Sequence, residues 1–269
     1  MRDYRGAAAV LLAVMAAVVA GCSTSPTGRR QLTVFSEEKM DKMGEQSFAQ
    51  IKASTPGSRD SEAIRVINCV ANAIVERLPA EERGHGWEVW VFDGNMVNAF
   101  ALPGRKIGVY EGIFRAARNQ DQLAAVIGHE IAHVTSRHAN ERVSTGSTVN
   151  NIVGIAQAAA GGSNTASGQL AGLLGAGAQV GVILPFNRTQ ESEADLVGMD
   201  YMANAGFDPR ATIPLWENMA EIGKDKPPEF LSTHPSDETR KANLKERIPS
   251  AMTLYAEAGA RGIRPDCGF

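Results

Sequence analysis

The stretch His129-Glu130-Ile131-Ala132-His133 decides how this chain is interpreted, because it places two histidines and a carboxylate at helical spacing. Residues at i and i+4 share one face of a helix, so His129 and His133 can bind the same metal ion. Glu130 is rotated by about 100° from His129 and lies beside that ion rather than on it. A general base for water held by zinc has this position. The alternative is a surface helix with two solvated histidines.

The flanking residues favour a well-formed and partly buried helix. Asn119, followed by Gln122 three positions later, has the pattern of an N-terminal cap. Leu123, Ile127 and Ile131 recur at helical spacing and predict an apolar face. A catalytic zinc ion takes three protein ligands and leaves its fourth position to solvent, so a third ligand is expected elsewhere in the chain.

A second acidic segment contains the candidates for that third ligand. Asn187 with Gln190 again predicts the start of a helix, and Glu191 and Asp195 then lie on one face of it. One carboxylate can bind the metal while the other accepts a hydrogen bond from a ligand histidine, and the spacing does not decide which. The alternative is an acidic helix N-terminus that the helix dipole favours.

Together these segments, followed by Ser232-Thr233-His234-Pro235-Ser236, resemble the zinc metalloprotease family of the CAAX prenyl endopeptidase and the HtpX heat-shock protease. The resemblance is greatest to its periplasmic lipoprotein branch and covers about residues 30–250, including Asn98-Ala99-Phe100-Ala101-Leu102-Pro103-Gly104. It implies a gluzincin with one zinc ion per chain. The zinc ligands would be His129, His133 and Glu191, with Glu130 as the general base and Asp195 supporting a ligand histidine.

The family pattern H-P-S-x-x-x-R is matched by His234, Pro235, Ser236 and Arg240, which implies that His234 and Arg240 are catalytic or lie near the site. His234 could stabilise the oxyanion formed on attack, or it could occupy the fourth zinc position and keep the resting enzyme closed. A plain ion pair is the alternative for Arg240. His138 cannot reach the same metal from the helix of His133 and is interpreted as a structural residue.

The fold expected from these patterns is α+β and mainly helical, a zincin-like metalloprotease with a small β-sheet packed on the HExxH helix. Trp87 to Phe92 alternates as a strand does, and a hairpin of Ala99–Leu102 and Lys106–Tyr110 is predicted around Pro103-Gly104. An edge strand of this kind can hold a substrate by β-augmentation. The candidate substrate-binding residues are Asn98, Ala99 and Phe100.

Further amphipathic helices are predicted at Ser36–Lys52, Ser61–Leu78, Asp208–Ile222 and Ser236–Ile248. The segment 146–185 is rich in alanine, glycine, leucine and valine and suggests two apolar helices in a hairpin. It is interpreted as a lid or wall of the site, with core packing or membrane contact as the alternatives. Neither half has the 18 or more apolar residues that a membrane span requires.

The N-terminal residues predict export and lipidation. Arg2 and Arg5 precede an apolar run, Ala7 to Ala20, that is shorter than the roughly 20 residues of a spanning helix. Val19-Ala20-Gly21-Cys22 resembles a bacterial lipoprotein cleavage box, and the serine after Cys22 favours the outer membrane by the same resemblance. The expected division is a signal peptide at 1–21, a lipidated flexible tether at 22–35 and a single peptidase domain at 36–269. An ordinary signal peptide or a short anchor is the alternative.

Two cysteines remain besides Cys22, and in an exported protein they can form a disulfide. A disulfide between Cys69 and Cys267 is therefore expected, against the alternative of a buried Cys69 thiol and a frayed C-terminus. No C-x-x-C pair exists, so the spacing does not favour thiolate zinc ligands.

The net charge of −3 gives no indication of nucleic acid binding or of an anionic membrane surface as a partner. The function expected is a zinc endopeptidase held in the periplasm by a lipid anchor, with protein or peptide substrates such as unfolded or misassembled envelope proteins. The rival interpretation is a chaperone-like binding protein with a closed, structural zinc site in which His234 is a permanent fourth ligand.

Overall fold

A computed structural model describes residues 22–147, 186–223, 228–234 and 238–269. The strands are β1 (Cys22–Thr24), β2 (Arg30–Leu32), β3 (Glu88–Phe92), β4 (Ala99–Leu102) and β5 (Lys106–Tyr110). The helices are α1 (Glu37–Ser54), α2 (Ser61–Val75), α3 (Ala80–Arg83), α4 (Gln120–Thr135), α5 (138–147), α6 (Arg188–Asn204), α7 (Thr212–Ile222), α8 (Glu229–Thr233) and α9 (Glu238–Ala260). Short 3-10 turns at Glu111–Arg115 and Pro209–Ala211 precede α4 and α7.

Helix α4, which carries the HExxH pentad, lies at the centre of the core. As predicted, Asn119 caps it by accepting a hydrogen bond from the N–H of Gln122. The side chain of Gln122 accepts a hydrogen bond from the N–H of Arg118. In a capping box it would accept from the N–H of Asn119 instead. Leu123 and Ile127 are fully buried among apolar residues of α2, α6 and α7. A helix enclosed in this way gives the polar side chains on it a fixed, largely dry surrounding.

The main sheet has the strand order β3-β5-β4, with β3 parallel and β4 antiparallel to β5. The predicted hairpin of β4 and β5 is confirmed, and Gly104 in its turn has a φ of 79°, the left-handed conformation that glycine adopts without strain. Phe100 lies across Gly108, where a Cβ would come within 2.3 Å of the ring. This space lets Phe100 pack against Phe48 and Phe92.

The prediction of a flexible tether at 22–35 is wrong for the residues of β1 and β2, because these strands form an antiparallel hairpin on the body of the protein. Gly28 closes its turn with a φ of 86°. Arg29 fixes it with ion pairs to Glu141 on α5 at 2.6 Å and to Glu193 on α6 at 3.0 Å. Composition alone suggested a linker, but these long-range ion pairs order it.

The C-terminal part of the chain differs from the prediction in one respect. Helix α9 does not end at Ile248 before Pro249 but continues to Ala260, although a proline removes one helical hydrogen bond. Ala251 and Ala258 are fully buried beyond the proline, so packing outweighs its local cost. The predicted start at Ser236 lies outside the described residues.

A disulfide joins Cys69 on α2 to Cys267 near the C-terminus, across a sequence separation of 198 residues. Gln120, at the start of α4, also holds this end of the chain, since its side chain accepts from the N–H of Cys267 and donates to the carbonyl of Pro265. The terminal segment is thereby fastened to the beginning of the helix that carries the pentad.

The expected fold class is confirmed: the chain is mainly helical, and β4 packs directly on α4. The lid or wall predicted at 146–185 falls, except for its first two residues, outside the residues described here. Among the helices that are described, none is both long and apolar enough to span a membrane.

Candidate metal centre and active site

The three polar residues of the pentad are buried on one side of α4. His129, Glu130 and His133 are 4%, 1% and 2% exposed, so the helix directs them into the protein and not into solvent. This excludes the alternative of two solvated histidines on a surface helix. Buried imidazoles and carboxylates need partners, and a metal ion with hydrogen bonds behind its ligands provides them.

Helix α6 approaches α4 closely because two glycines face each other at the crossing. A Cβ on Gly198 would lie 2.7 Å from the backbone nitrogen of His129, and a Cβ on Gly128 would lie 2.7 Å from the carbonyl oxygen of Gly198. Neither helix could carry a larger residue there at the present separation. The close crossing brings Asp195 and Glu191, one and two turns before Gly198 on α6, to the histidines of α4.

Four buried residues converge into one group: His129, His133, Glu191 and His234. Each contributes a ligand atom, and these atoms all lie within 4.8 Å of one another. His129 Nε2 is 3.0 Å from His133 Nε2 and 3.3 Å from His234 Nδ1. The Glu191 carboxylate is 3.4 Å from His129 and 3.5 Å from His133. Imidazole nitrogens with one carboxylate form a donor set that suits zinc, so the residues present fit this ion.

Asp195 lies on the far side of His129, in the supporting position that the family resemblance implied. Its Oδ1 is 3.0 Å from His129 Nδ1, which leaves Nε2 directed at the other ligand atoms. Burial alone would lower the pKa of His129. The contacts with Asp195 and Glu191 outweigh burial and raise that pKa to about 9 in the metal-free protein. This contact also fixes the orientation of the ring.

Arg240, on α9, holds both carboxylates of α6 from behind. Its Nε and Nη2 each lie 2.7 Å from an oxygen of Asp195, and its Nη1 is 2.8 Å from Glu191 Oε2. The guanidinium is 2% exposed and stacks at 4.4 Å on the ring of Trp216. Arg240 therefore forms an ion pair, as one of the two sequence interpretations held, but the pair supports the metal ligand and its neighbour.

Glu130 is placed between the ligand group and the sheet. Its Oε2 accepts a hydrogen bond from the N–H of Ala101 at 3.1 Å, and its Oε1 is 3.3 Å from His234 Nε2. Burial raises the pKa of Glu130 above its ordinary value, and His234 and His129 partly offset this rise. A raised pKa makes a carboxylate a stronger base, which suits Glu130 to accept a proton.

The edge of the sheet beside Glu130 is β4, but the predicted substrate-binding residues need a correction of register. The N–H of Tyr110 donates to the carbonyl of Asn98, so by strict alternation Asn98 and Phe100 use their peptide groups on β5. The peptide groups of Ala99 and Ala101 point to the opposite edge. The peptide groups of Ala99 and Ala101 are therefore the ones available at this edge, and those of Phe100 are not, a distinction that a sequence does not reveal. Substrate binding by these residues stays a prediction.

Asn98 remains a candidate through its side chain rather than its backbone. Its Oδ1 is buried without a hydrogen-bond partner among the described residues, and it lines a small cavity with Glu130, Phe186 and His234. A buried amide oxygen without a partner is rare and is commonly found where a ligand completes its hydrogen bonding.

His234 completes the group from the end of α8. Besides its contacts with His129 and Glu130, its Nδ1 is 3.0 Å from Glu191 Oε1, and the ring is 2% exposed. Phe186 and Phe230 both stack on this ring, with centroids 5.3 and 4.6 Å away. His234 thus occupies the position where a fourth ligand would be expected.

His138 and Glu193 also lie at the site, although the sequence did not indicate this. Ser136 and Arg137 end α4, and Arg137 has a φ of 57°, so His138 belongs to α5 and its ring turns back towards the site. His138 Nδ1 is 2.9 Å from His133 Nδ1, and its Nε2 is 3.2 Å from Glu193 Oε2. The prediction placed His138 on the same continuous helix as His133 and did not allow for this bend. Glu193, on α6, faces His138 and not the group of metal ligands.

The geometry is accompanied by a family match. Residues 58–248 match the model of peptidase family M48, which is most of the chain, and the chain belongs to this family. M48 peptidases are zinc metalloproteases, in agreement with the resemblance noted from the motifs and with the buried group of three histidines and a glutamate.

The chain is similar to proteins of two names, mitochondrial metalloendopeptidase OMA1 and beta-barrel assembly-enhancing protease. The chain is 42% identical over 168 residues to the mitochondrial metalloendopeptidase OMA1 of Schizosaccharomyces pombe, covering 62% of this chain and 48% of that protein. It is 31% identical over 236 residues to the beta-barrel assembly-enhancing protease of Yersinia pestis, covering 82% and 48%. The protein of that name from Escherichia coli K12 is 30% identical over 223 residues, covering 80% and 45%. The chain thus spans half or less of the length of these relatives.

Proposed function

We propose that this protein is a zinc metalloendopeptidase. The observation that supports the proposal most strongly is the convergence of ligand atoms of His129, His133 and Glu191 within 4.8 Å of one another. Glu130 lies beside them, against the edge of β4 that pairs with no further strand in the part of the chain that the structure describes. Zinc ligands, a general base and a strand that can hold an extended peptide are the components that peptide hydrolysis requires.

His129, His133 and Glu191 would hold the zinc ion. When bound, zinc supplies Lewis acidity that polarises a carbonyl group and makes water more acidic. Glu130 takes the proton from the attacking water at a carboxylate oxygen and then delivers it to the leaving amine. Asp195 and Arg240 do not touch the reacting atoms in this scheme. They hold His129 and Glu191 in place and are positioning residues.

An extended peptide would pair with the free edge of β4 through the peptide groups of Ala99 and Ala101, and the Asn98 amide would bind it at one end. In the present conformation the Ala101 N–H is donated to Glu130 Oε2. A substrate carbonyl that takes over this N–H frees the carboxylate for its part in proton transfer. Substrate binding and activation of the base are thereby linked.

His234 would act as a gate. Its position within the ligand group closes the fourth coordination site, and the pentad residues are almost completely buried. Movement of the short segment 228–234 would open both the coordination position and the edge of β4. The other role that the family pattern allowed for His234, stabilisation of the oxyanion, is the alternative to the gate.

The cellular setting is part of the proposal. Cys22 would be lipidated after removal of residues 1–21 and would hold the protein in the periplasm, on the outer membrane. Its substrates would be unfolded or misassembled envelope proteins, which the name of the beta-barrel assembly-enhancing relatives supports. Labelling cells with a radioactive fatty acid tests the anchor: label should enter the wild-type protein and be absent from Cys22→Ala. Equal labelling of both would refute it.

Glu130→Gln tests the activity. We expect this variant to retain one zinc ion per chain and to lose casein cleavage, because the amide cannot accept the proton. Glu246→Gln, an exposed position on α9, is the matched control and should leave both unchanged. Undiminished cleavage by Glu130→Gln would contradict the mechanism.

A second candidate function has one observation in its favour. Since His234 already lies in the four-residue group, the site could be permanently closed and structural, as in a chaperone-like binding protein. His234→Ala distinguishes the two. A gate predicts equal or higher peptidase activity in this variant, and an oxyanion role predicts lower activity. A closed structural site predicts no cleavage by either protein and a lower thermal stability of the variant.

A further inference from the structure

A line of polar contacts leads from the N-terminal hairpin to the zinc ligand His133. His133 Nδ1 lies 2.9 Å from His138 Nδ1, and His138 Nε2 lies 3.2 Å from Glu193 Oε2. Arg29, on the β1–β2 hairpin, donates from Nε to the same carboxylate oxygen at 3.0 Å. His133, His138 and Glu193 are buried, while Arg29 is 23% exposed and connects the line to the surface.

The directions of these hydrogen bonds follow from what each group can donate. A carboxylate only accepts, so the proton of a neutral His138 lies on Nε2 and is donated to Glu193. His138 Nδ1 then carries a lone pair and accepts from His133 Nδ1–H. His133 is left with its lone pair on Nε2, which is the atom that faces Glu191 and the other ligands. The opposite direction would place a proton on His133 Nε2 and prevent it from binding a metal.

Arg29 fixes the acceptor at the start of this line. Its guanidinium donates to both oxygens of Glu141, at 2.6 and 2.8 Å, as well as to Glu193. Thr27, in the turn of the same hairpin, donates its hydroxyl to Glu193 Oε1 at 2.5 Å. Four donor atoms of the hairpin therefore contact the carboxylates of Glu141 and Glu193, and the hairpin keeps the Glu193 carboxylate pointed at His138.

We propose that Arg29, Glu193 and His138 are positioning residues that hold His133 in its metal-binding tautomer, so that the N-terminal hairpin determines how firmly zinc is retained. The inference rests on the proposed function only in taking His133 as a zinc ligand. It assigns a task to residues that the catalytic scheme does not use. Cys22 begins the same hairpin, so the segment next to the proposed lipid anchor is also a support of the metal centre.

Zinc affinity of the full chain, measured by competition with a chromophoric chelator, tests the inference without recourse to activity. Removal of a group behind a ligand histidine lowers metal affinity by roughly ten- to a hundredfold, and we expect this for His138→Ala and Glu193→Ala. Arg29→Ala should lower it by about tenfold, and Arg29→Lys should recover part of the loss, because lysine keeps the charge but not the planar fork.

Arg247→Ala is the matched control. Arg247 also forms an ion pair with helix α6, at Asp200, which is not a member of the ligand group. This variant should bind zinc like the wild type. The unfolding free energy of the metal-free proteins is measured alongside, so that a general loss of stability is recognised in each variant.

The double variant His138→Ala/Glu193→Ala provides the sharpest outcome. If Glu193 acts through His138, its removal costs little zinc affinity once His138 is absent, and the double variant equals His138→Ala within about twofold. If the losses of zinc affinity in the two single variants multiply in the double variant, the inference is overturned. Wild-type zinc affinity in Arg29→Ala and Glu193→Ala would also overturn it. A wild-type protein that binds no zinc would instead overturn the proposed function, so the two failures are distinguishable.

Discussion

Substitution of Gly198 by alanine probes the contact that brings the two halves of the site together. The added Cβ would lie 2.7 Å from the His129 nitrogen and 2.8 Å from its Cα, whereas ordinary contacts begin at 3.4 Å. Both atoms belong to the backbone, so no side chain can turn away. The helices must separate by about 0.7 Å, the difference between these distances. The same movement lengthens the 3.0 Å contact between Asp195 and His129 beyond hydrogen-bonding range.

We expect Gly198→Ala to lower the free energy of unfolding of the metal-free protein by about 3 kcal/mol, the upper part of the range for overpacked cores. Zinc affinity should fall by roughly ten- to a hundredfold, because a ligand and its support are displaced together. Urea unfolding and chelator competition measure the two effects.

Gly146→Ala is the control for this prediction, since a Cβ at Gly146 meets no atom of the described residues within 4 Å. It should bind zinc normally and be stabilised by up to about 1 kcal/mol, because alanine is the better helix former. If Gly198→Ala kept both wild-type stability and wild-type zinc affinity, the claim that this glycine crossing sets the geometry of the site would be refuted.

Two further predictions concern the frame around the site. Cys69→Ala/Cys267→Ala removes the disulfide that closes a loop of 198 residues. In the chain-entropy model this should lower the unfolding free energy by roughly 5 kcal/mol, which denaturant titration measures. The zinc affinity of the folded protein, measured by chelator competition, should be unchanged. Arg240→Ala leaves two buried carboxylates without their cation and should destabilise the metal-free protein by about 3–5 kcal/mol, with partial recovery in Arg240→Lys; a loss below 1 kcal/mol in urea unfolding would contradict this.

The elements that the sequence predicted well are those defined by local pattern. Asn119 and Asn187 mark the starts of α4 and α6 because a cap acts within one turn of helix. The hairpin of β4 and β5 follows from alternation around Pro103-Gly104. Such signals need no knowledge of what packs against the element, and the expected ligands therefore lay on the expected helices.

The features that could not be predicted depend on contacts between distant residues. The docking of the β1–β2 hairpin is set by Arg29 and two glutamates more than a hundred residues away, whereas its composition is that of a linker. The continuation of α9 through Pro249 depends on the burial of Ala251 and Ala258. In both cases tertiary packing outweighs a local preference.

Within the site, the errors arose from geometry finer than spacing. A bend at Arg137 brings His138 to His133, and the alternation of β4 exchanges Phe100 for Ala101 at the free edge. A shift of one residue along a strand, or a bend at the end of a helix, changes which group faces the metal centre. Residue spacing predicts ligands on one continuous helix well, and it predicts the residues behind them poorly.

The central claim, that one zinc ion is held by residues of α4 and α6, is tested most directly by anomalous diffraction at the zinc edge from crystals of the zinc-loaded protein. The account predicts a single peak about 2.0–2.2 Å from the Nε2 atoms of His129 and His133 and from a carboxylate oxygen of Glu191. A peak elsewhere, a peak that lacks Glu191 as a neighbour, or no peak in protein prepared with zinc would contradict it.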